Sequence, residues 1–324
     1  MDVLKYGRSL SPAQIIVYSF ALFILAGTAL LMLPAATVDG AGATFTDALF
    51  TIVSAVCVTG LSVQDTGTYW TFFGQAVILF AIQVGGLGVV TAAISLTVFS
   101  GCKIGLMQRN TMQEALAAPQ LKGIVQLVLF ILKYVAIIEL VGTLLLYTVF
   151  APQYGWVTGW WYAMFHAISA FCNAGFDLMG HTSQYSSLCN YEGDWVVIGT
   201  ISFLIITGGI GFIVWDDLSR KKLDFRHYML HTKIVLVTTA VLLVTSTILF
   251  YLMERNNILV GMNGSESFLA CFFSAVTPRT AGFNNVDTAA LTDGSKFLSA
   301  ILMFIGGSPG STAGGIKTST LAVL

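Results

Sequence analysis

Charge is what this chain has least of. Only 10% of its 324 residues are Asp, Glu, Lys or Arg, against about 25% in ordinary soluble domains. That scarcity excludes a soluble globular domain, and it leaves too few cations for a nucleic-acid surface. Metal-ligand spacing is missing as well: Cys57, Cys102, Cys172, Cys189 and Cys271 form no ligand pattern. The four histidines give no nucleophile–base pair, and no two carboxylates are spaced for acid–base work. The expectation is therefore a protein that is not an enzyme and carries no resident cofactor. His166 reads as a hydrogen-bonded packing residue, and Glu139 as facing the bundle interior or a neighbouring unit.

What fills the space is apolar. Hydrophobic residues make up 56% of the chain, and the mean hydropathy is +0.82. Runs without a formal charge cover 14–33, 71–99, 195–215, 234–253 and 297–316, and 134–150 is broken only by Glu139. About 20 apolar residues cross a bilayer as a helix, so the expected fold class is an all-α integral membrane protein. Lys and Arg are absent from 34–70 and 151–194, whereas Lys5, Arg8, Lys103, Arg109, Lys122 and the Arg220–Lys233 cluster lie in the alternate connections. The positive-inside bias puts the N-terminus in the cytoplasm of a multi-pass plasma-membrane protein. Ten of the sixteen acidic residues then fall on the outer side, Asp65 and Asp177 among them. They read either as ordinary loop solvation or as a vestibule that concentrates cations.

A frame of Ala-x-Phe followed by a glycine recurs three times, at Ala48 to Gly60, Ala163 to Gly175 and Ala270 to Gly282. The glycines are 115 and 107 residues apart, a self-similarity that marks repeated structural units. We divide the chain into units 1–118, 119–230 and 231–324. Each reads as helix, short re-entrant helix, extended turn, helix. Non-helical backbone at membrane depth is tolerated where it lines a watery cavity, and glycine lets successive carbonyls point one way. Rings of carbonyls replacing a hydration shell select ions. The expected filter segments are Val58-Thr59-Gly60-Leu61, Asn173-Ala174-Gly175-Phe176 and Thr280-Ala281-Gly282-Phe283.

A glycine pair marks each returning helix: Gly85-Gly86, Gly208-Gly209 and Gly306-Gly307. In the first two units the pair is expected to sit in an unbroken helix and allow close packing. The third opens Gly306-Gly307-Ser308-Pro309-Gly310-Ser311-Thr312-Ala313-Gly314-Gly315-Ile316-Lys317, which cannot remain helical. It is not a nucleotide-binding loop, because Ile316 separates the last glycine from Lys317. Lys317 either presents its charge to the pore or snorkels to the cytoplasmic interface.

The stretches Ser54–Ser62, Ser169–Phe176, Thr277–Asn284 and Gly306–Thr318 resemble the Trk/Ktr/HKT superfamily of potassium transporters, and the short lead-in to the first span fits its Ktr branch. The resemblance implies a fold of potassium-channel-type helix–pore-loop–helix units around one pore. It implies K+ uptake, in many members supported by Na+, by a homodimer regulated by a cytosolic ring of nucleotide-binding subunits. By the same resemblance, Gly60, Gly175 and Gly282 are selectivity-filter glycines and Gly306–Lys317 is an intramembrane gate loop. Such transporters have four units; extending the repeat puts a fourth glycine at roughly position 390, so the sequence reads as a C-terminally truncated chain. The alternatives are a Na+-selective or unselective uniporter of the same superfamily, or a broken-helix secondary transporter.

Overall fold

In the computed structural model, residues 11–88, 106–115, 123–222 and 224–324 are described. Lys5, Arg8, Cys102, Lys103, Lys122 and the end of the 71–99 run lie outside them. The described residues are almost wholly helical. The first unit holds α1 (Pro12–Leu31), the re-entrant α2 (Phe45–Val56), one turn of helix α3 (Thr66–Tyr69) and α4 (Phe72–Leu87), followed by α5 (Leu106–Ala115). The second holds α6 (Ile124–Tyr154), the re-entrant α7 (Trp156–Phe171), α8 (Trp195–Ile210) and α9 (Phe212–Lys221). The third holds α10 (Leu230–Glu254), the re-entrant α11 (Gly264–Val276), α12 (Asp293–Phe304) and α13 (Thr318–Val323).

Local chemistry starts these helices where they start. Ser11 and Gln14 form a capping box with Pro12 at the first helical position of α1, which satisfies amide donors that have no partner within the helix. Thr44, Asp194, Asn263 and Thr292 cap α2, α8, α11 and α12 in the same way. Among the described residues α1, α6 and α10 are long and apolar enough to span a bilayer, and α8 with α9 makes a fourth candidate bent by 95°. Only 17–28% of the most apolar stretches of those three helices is buried by protein. The remaining apolar surface, including Leu22, Leu140 and Val244, suits contact with lipid, where burying it inside protein brings no hydrophobic gain.

The returning helices depart from expectation. α4 ends at Leu87, just past its glycine pair, with Gly88 at φ +84°. α8 stops at Ile210 and turns through 95° at Gly211, φ +101°. The first two pairs thus lie inside their helices, in the last turn, and each helix ends just beyond: a third glycine two residues on lets the chain leave the helix, since it adopts a left-handed backbone without a Cβ clash. Close packing at the pairs is present. A Cβ on Gly85 would sit 2.1 Å from the Val56 carbonyl oxygen, and one on Gly208 only 1.9 Å from that of Phe171. These two returning helices thus rest directly on the ends of their own re-entrant helices.

Candidate functional site

The re-entrant helices α2, α7 and α11 all deliver their chain into the same unusual turn. Val58, Asn173 and Thr280 have φ of 54°, 56° and 71°, and Gly60, Gly175 and Gly282 have 76°, 72° and 87°. The left-handed positions are therefore the glycine and the residue two before it, in all three copies. Asn tolerates that region, but branched Val and Thr cost about 1–3 kcal/mol each there. Backbone bonds hold the turns: Thr59 N–H donates to Ser54 O (2.9 Å), Ala174 N–H to Ser169 O (2.8 Å), and Ala281 and Gly282 N–H to Thr277 O (3.0 and 3.3 Å). Hydroxyls add to this, Ser169 donating to Phe176 O (2.6 Å) and Thr277 to Phe283 O (2.5 Å). Phe176 and Phe283 are buried, whereas Leu61 is 63% exposed.

The three turns meet. A Cβ on Gly60 would come within 2.6 Å of Ala174 O and 3.5 Å of Gly175 Cα. One on Gly175 would come within 2.3 Å of Ala281 O and 3.2 Å of Gly282 Cα. Glycines more than a hundred residues apart in sequence thus stand backbone to backbone, in the order first, second, third. The left-handed backbone disfavours a side chain at all three, and proximity excludes one at Gly60 and Gly175.

The loop between α7 and α8 clamps this assembly. Tyr185 N–H donates to Asp65 Oδ2 (2.9 Å) and its hydroxyl to Val63 O (2.9 Å), both in the first unit. Leu188 N–H donates to Asn284 O (2.8 Å), and Asn284 N–H to Ser187 Oγ (3.1 Å), in the third. This bears on the acidic residues. Asp65 is buried and also accepts from Gly67 and Thr68 amides. Asp194 and Asp287 cap helices, Glu266 completes a capping box, and Glu254 is buried against Thr292. Four of the ten are therefore engaged at helix N-termini, and Glu254 in buried hydrogen bonds, rather than contributing to a free field. Asp177, half-buried and outside the spanning helices, has its pKa pushed up to about 6, chiefly by burial and further by Asp65.

Below the turns, the Gly306–Lys317 segment is a folded loop. Gly306 N–H donates to Ile316 O (3.0 Å) and Gly307 N–H to Gly314 O (3.2 Å), and Ser308 and Thr318 hydroxyls lie 2.9 Å apart. It docks on the break between α8 and α9. Ser308 N–H donates to Gly209 O (2.9 Å), Thr312 N–H to Gly208 O (3.3 Å) and Phe212 N–H to Gly310 O (2.8 Å). The Thr312 hydroxyl donates to Phe171 O (3.0 Å). Lys317 turns back on the loop itself, its ammonium donating to Ala313 O (2.8 Å). A cavity of about 350 Å³ lies between loop and turns, lined among others by Val56, Cys57, Val58, Gly88, Phe212 and Gly310–Gly314.

His166 is fully buried, its Nδ1 2.7 Å from Tyr162 O and its Nε2 accepting from Leu178 N–H (3.4 Å), a hydrogen-bonded packing residue. Cys57 and Cys172, equivalent in the frame, do not share a packing site. Cys172 is buried with Sγ 2.6 Å from where a Gly86 Cβ would be, while Cys57 is exposed.

Re-entrant helices that end in abutting glycine turns, with a folded glycine-rich loop packed beside them, are the architecture of a pore-loop membrane transporter. Residues 7–324 match the TrkH family, described as cation transport protein, and the chain belongs to that family, in its Trk/Ktr group. It is 42% identical over 319 residues to the potassium/sodium uptake protein NtpJ of Enterococcus hirae, covering 98% of this chain and 69% of that protein. It is also 42% identical to the Ktr system potassium uptake protein B of Bacillus subtilis, covering 99% and 71%. The crystal structure of the potassium transporter TrkH from Vibrio parahaemolyticus superposes with a TM-score of 0.66 at 19% identity, over 98% of this chain and 61% of that one. The chain thus spans about 70% of the length of those two relatives and less than two thirds of the solved structure.

Proposed function

We propose that, in this potassium-uptake protein of the Ktr/Trk type, the backbone carbonyls of Val58–Leu61, Asn173–Phe176 and Thr280–Phe283 replace the hydration shell of K+. The observation that carries the reading is the threefold recurrence of left-handed backbone at the glycine and two residues before it, with the glycines in contact. The Gly306–Lys317 loop acts as the gate. Hydrogen bonds at Ser308, Gly310 and Thr312 tie it to the second unit, each worth about 1 kcal/mol net, so its two positions differ by a few kcal/mol, a gap that a partner can bias. The transporter works in the plasma membrane with its N-terminus in the cytoplasm, as a homodimer with a cytosolic nucleotide-binding ring. Na+ supports transport, in keeping with a relative named for both ions. The units 1–118, 119–230 and 231–324 are its structural repeats.

The test is ion competition in the full-length protein, expressed in cells that lack other K+ uptake. Gly60→Ser and Gly175→Ser are expected to lower the K+/Na+ uptake ratio at least tenfold, since a Cβ meets a neighbouring carbonyl in each. Both variants accumulating with the parental ratio would remove the filter reading.

A further inference from the structure

The three residues that stand three positions before the filter glycines are Cys57, Cys172 and Arg279. Two are neutral thiols and one is a guanidinium, which stays charged at any working pH. Arg279 is only 7% exposed. Its side chain makes no hydrogen bond or ion pair with any described residue, and Nε is fully buried without a partner. It borders a cavity of about 10 Å³ shared with Ile205, Ile206, Gly209, Val276 and Gly307. None of those residues carries negative charge, and the space admits one water at most, not a counter-ion. A buried cation without a counter-charge is costly in a membrane protein.

Its place gives that cost a use. The carbonyl end of a helix carries partial negative charge. The re-entrant helices α2 and α7 end beside the neutral Cys57 and Cys172, so their carbonyl ends favour a cation at the foot of the turns. α11 ends at Val276, whose carbonyl accepts from Arg279 N–H (3.2 Å), and there the guanidinium opposes the same field. The neighbouring Gly209 carbonyl holds Ser308 of the Gly-rich loop. Arg279 therefore stands at the step between filter and gate.

We infer that Arg279 is a fixed positive charge that weakens cation binding at the foot of the turns and so speeds ion exit towards the Gly306–Lys317 loop. This rests on the reading of the turns as the filter. Conduction requires binding weak enough for the ion to leave, and a charge placed here supplies that weakness without touching the ring of carbonyls.

The experiment measures K+ uptake against K+ concentration, and block by cytoplasmic Ba2+, in the full-length protein with Arg279→Gln, Arg279→Lys and Cys57→Lys. Arg279→Gln is expected to lower the half-saturating K+ concentration roughly tenfold and to cut the maximal rate. It should strengthen Ba2+ block by a larger factor, because a divalent ion feels the charge twice. Arg279→Lys is expected to keep both values near the parent. Cys57→Lys, at an exposed position, adds a second charge at an equivalent place and should raise half-saturation and weaken the block. The proposal is overturned if Arg279→Gln accumulates with parental half-saturation and block, or if Arg279→Lys behaves as Arg279→Gln, which would assign a packing role. Should Arg279→Gln fail to accumulate, an unchanged Cys57→Lys overturns it. The K+/Na+ ratio of Gly175→Ser reports on the filter reading separately, and Arg279→Gln should leave that ratio at the parental value.

Discussion

The seam between the first and second units and the seam between the second and third are built on the same backbone plan and filled with opposite chemistry. In each, the first glycine of the pair lies on the end of its own re-entrant helix, Gly85 on Val56 and Gly208 on Phe171. The second glycine faces the next unit's residue three before its turn glycine: Gly86 meets Cys172, and Gly209 borders the cavity beside Arg279. Around the first seam polar side chains are linked in a chain. Gln83 donates to Glu139 Oε2 (3.2 Å), and its own oxygen lies 3.9 Å from Cys172 Sγ. Around the second, Ile206 occupies the place of Gln83 and a lone cation remains. Repetition therefore conserves backbone contacts while leaving the side chains between units free to differ, and that is where one pore can be made unequal around its circumference.

The comparison breaks first if the shared contacts are not shared in energy. Gly85→Ala and Gly208→Ala each drive a Cβ into a backbone carbonyl at about 2 Å. Each is expected to cost at least about 3 kcal/mol, read as failure to accumulate or a large fall in Tm in detergent. Gly209→Ala should be nearly silent, since its Cβ meets nothing nearer than 3.6 Å, whereas Gly86→Ala clashes with Cys172 at 2.6 Å and should not be. Equal tolerance of Gly208→Ala and Gly209→Ala would dissolve the plan.

A smaller effect sharpens the contrast at the first seam. Glu139 is buried, and its Oε1 has no partner. Gln83→Leu removes the side-chain amide that holds the other oxygen and is expected to cost about 2 kcal/mol. Gln83→Leu with Glu139→Leu should recover most of that loss, giving the first seam the apolar character of the second. Thermal unfolding of both single variants and the double variant measures the coupling; strict additivity would mean that the two side chains do not act together.

The smallest expected effect is one of pH at Asp177. Asp177 is protonated up to about pH 6 in the folded protein, through burial and the nearby Asp65, whereas in the unfolded chain it ionises near 4. A raised carboxyl pKa means the folded state binds the proton more tightly. Its stabilising contribution is therefore full below about pH 4 and lost as pH rises through about 6. Asp177→Asn should flatten a modest fall in Tm over that window; an unaltered slope would place the titration elsewhere.

The sequence made the three turns legible because their cause is local: an apolar re-entrant helix, a small residue, a glycine at fixed spacing. It also made the break at Gly306–Lys317 legible, because five glycines and a proline leave no other outcome. The breaks after Leu87 and at Gly211 were equally available in Gly85-Gly86-Leu87-Gly88 and Gly208-Gly209-Ile210-Gly211, where the third glycine was the signal. Left-handed Val58 and Thr280 were not available, since branched residues avoid that region and only the surrounding structure imposes it. Nor was the fate of the acidic residues. Whether an Asp concentrates ions or caps a helix depends on which amide stands opposite, as Asp65 and Tyr185 show from 120 residues apart.

That last bond has a consequence for how the protein is made. Three polar side chains of the first unit are completed only by residues synthesised much later: Gln83 by Glu139, Gln75 by the indole of Trp161 (2.8 Å) and Asp65 by Tyr185, at separations of 56, 86 and 120 residues. At ordinary translation speeds the longest of these waits is on the order of ten seconds. During it the nascent first unit lacks these partners for Gln83, Gln75 and the second oxygen of Asp65, a state with a natural client relationship to insertion machinery that shelters polar surface. Ribosome-bound chains arrested before residue 139 should accordingly remain cross-linkable to that machinery through α4, and chains arrested beyond residue 185 should have left it.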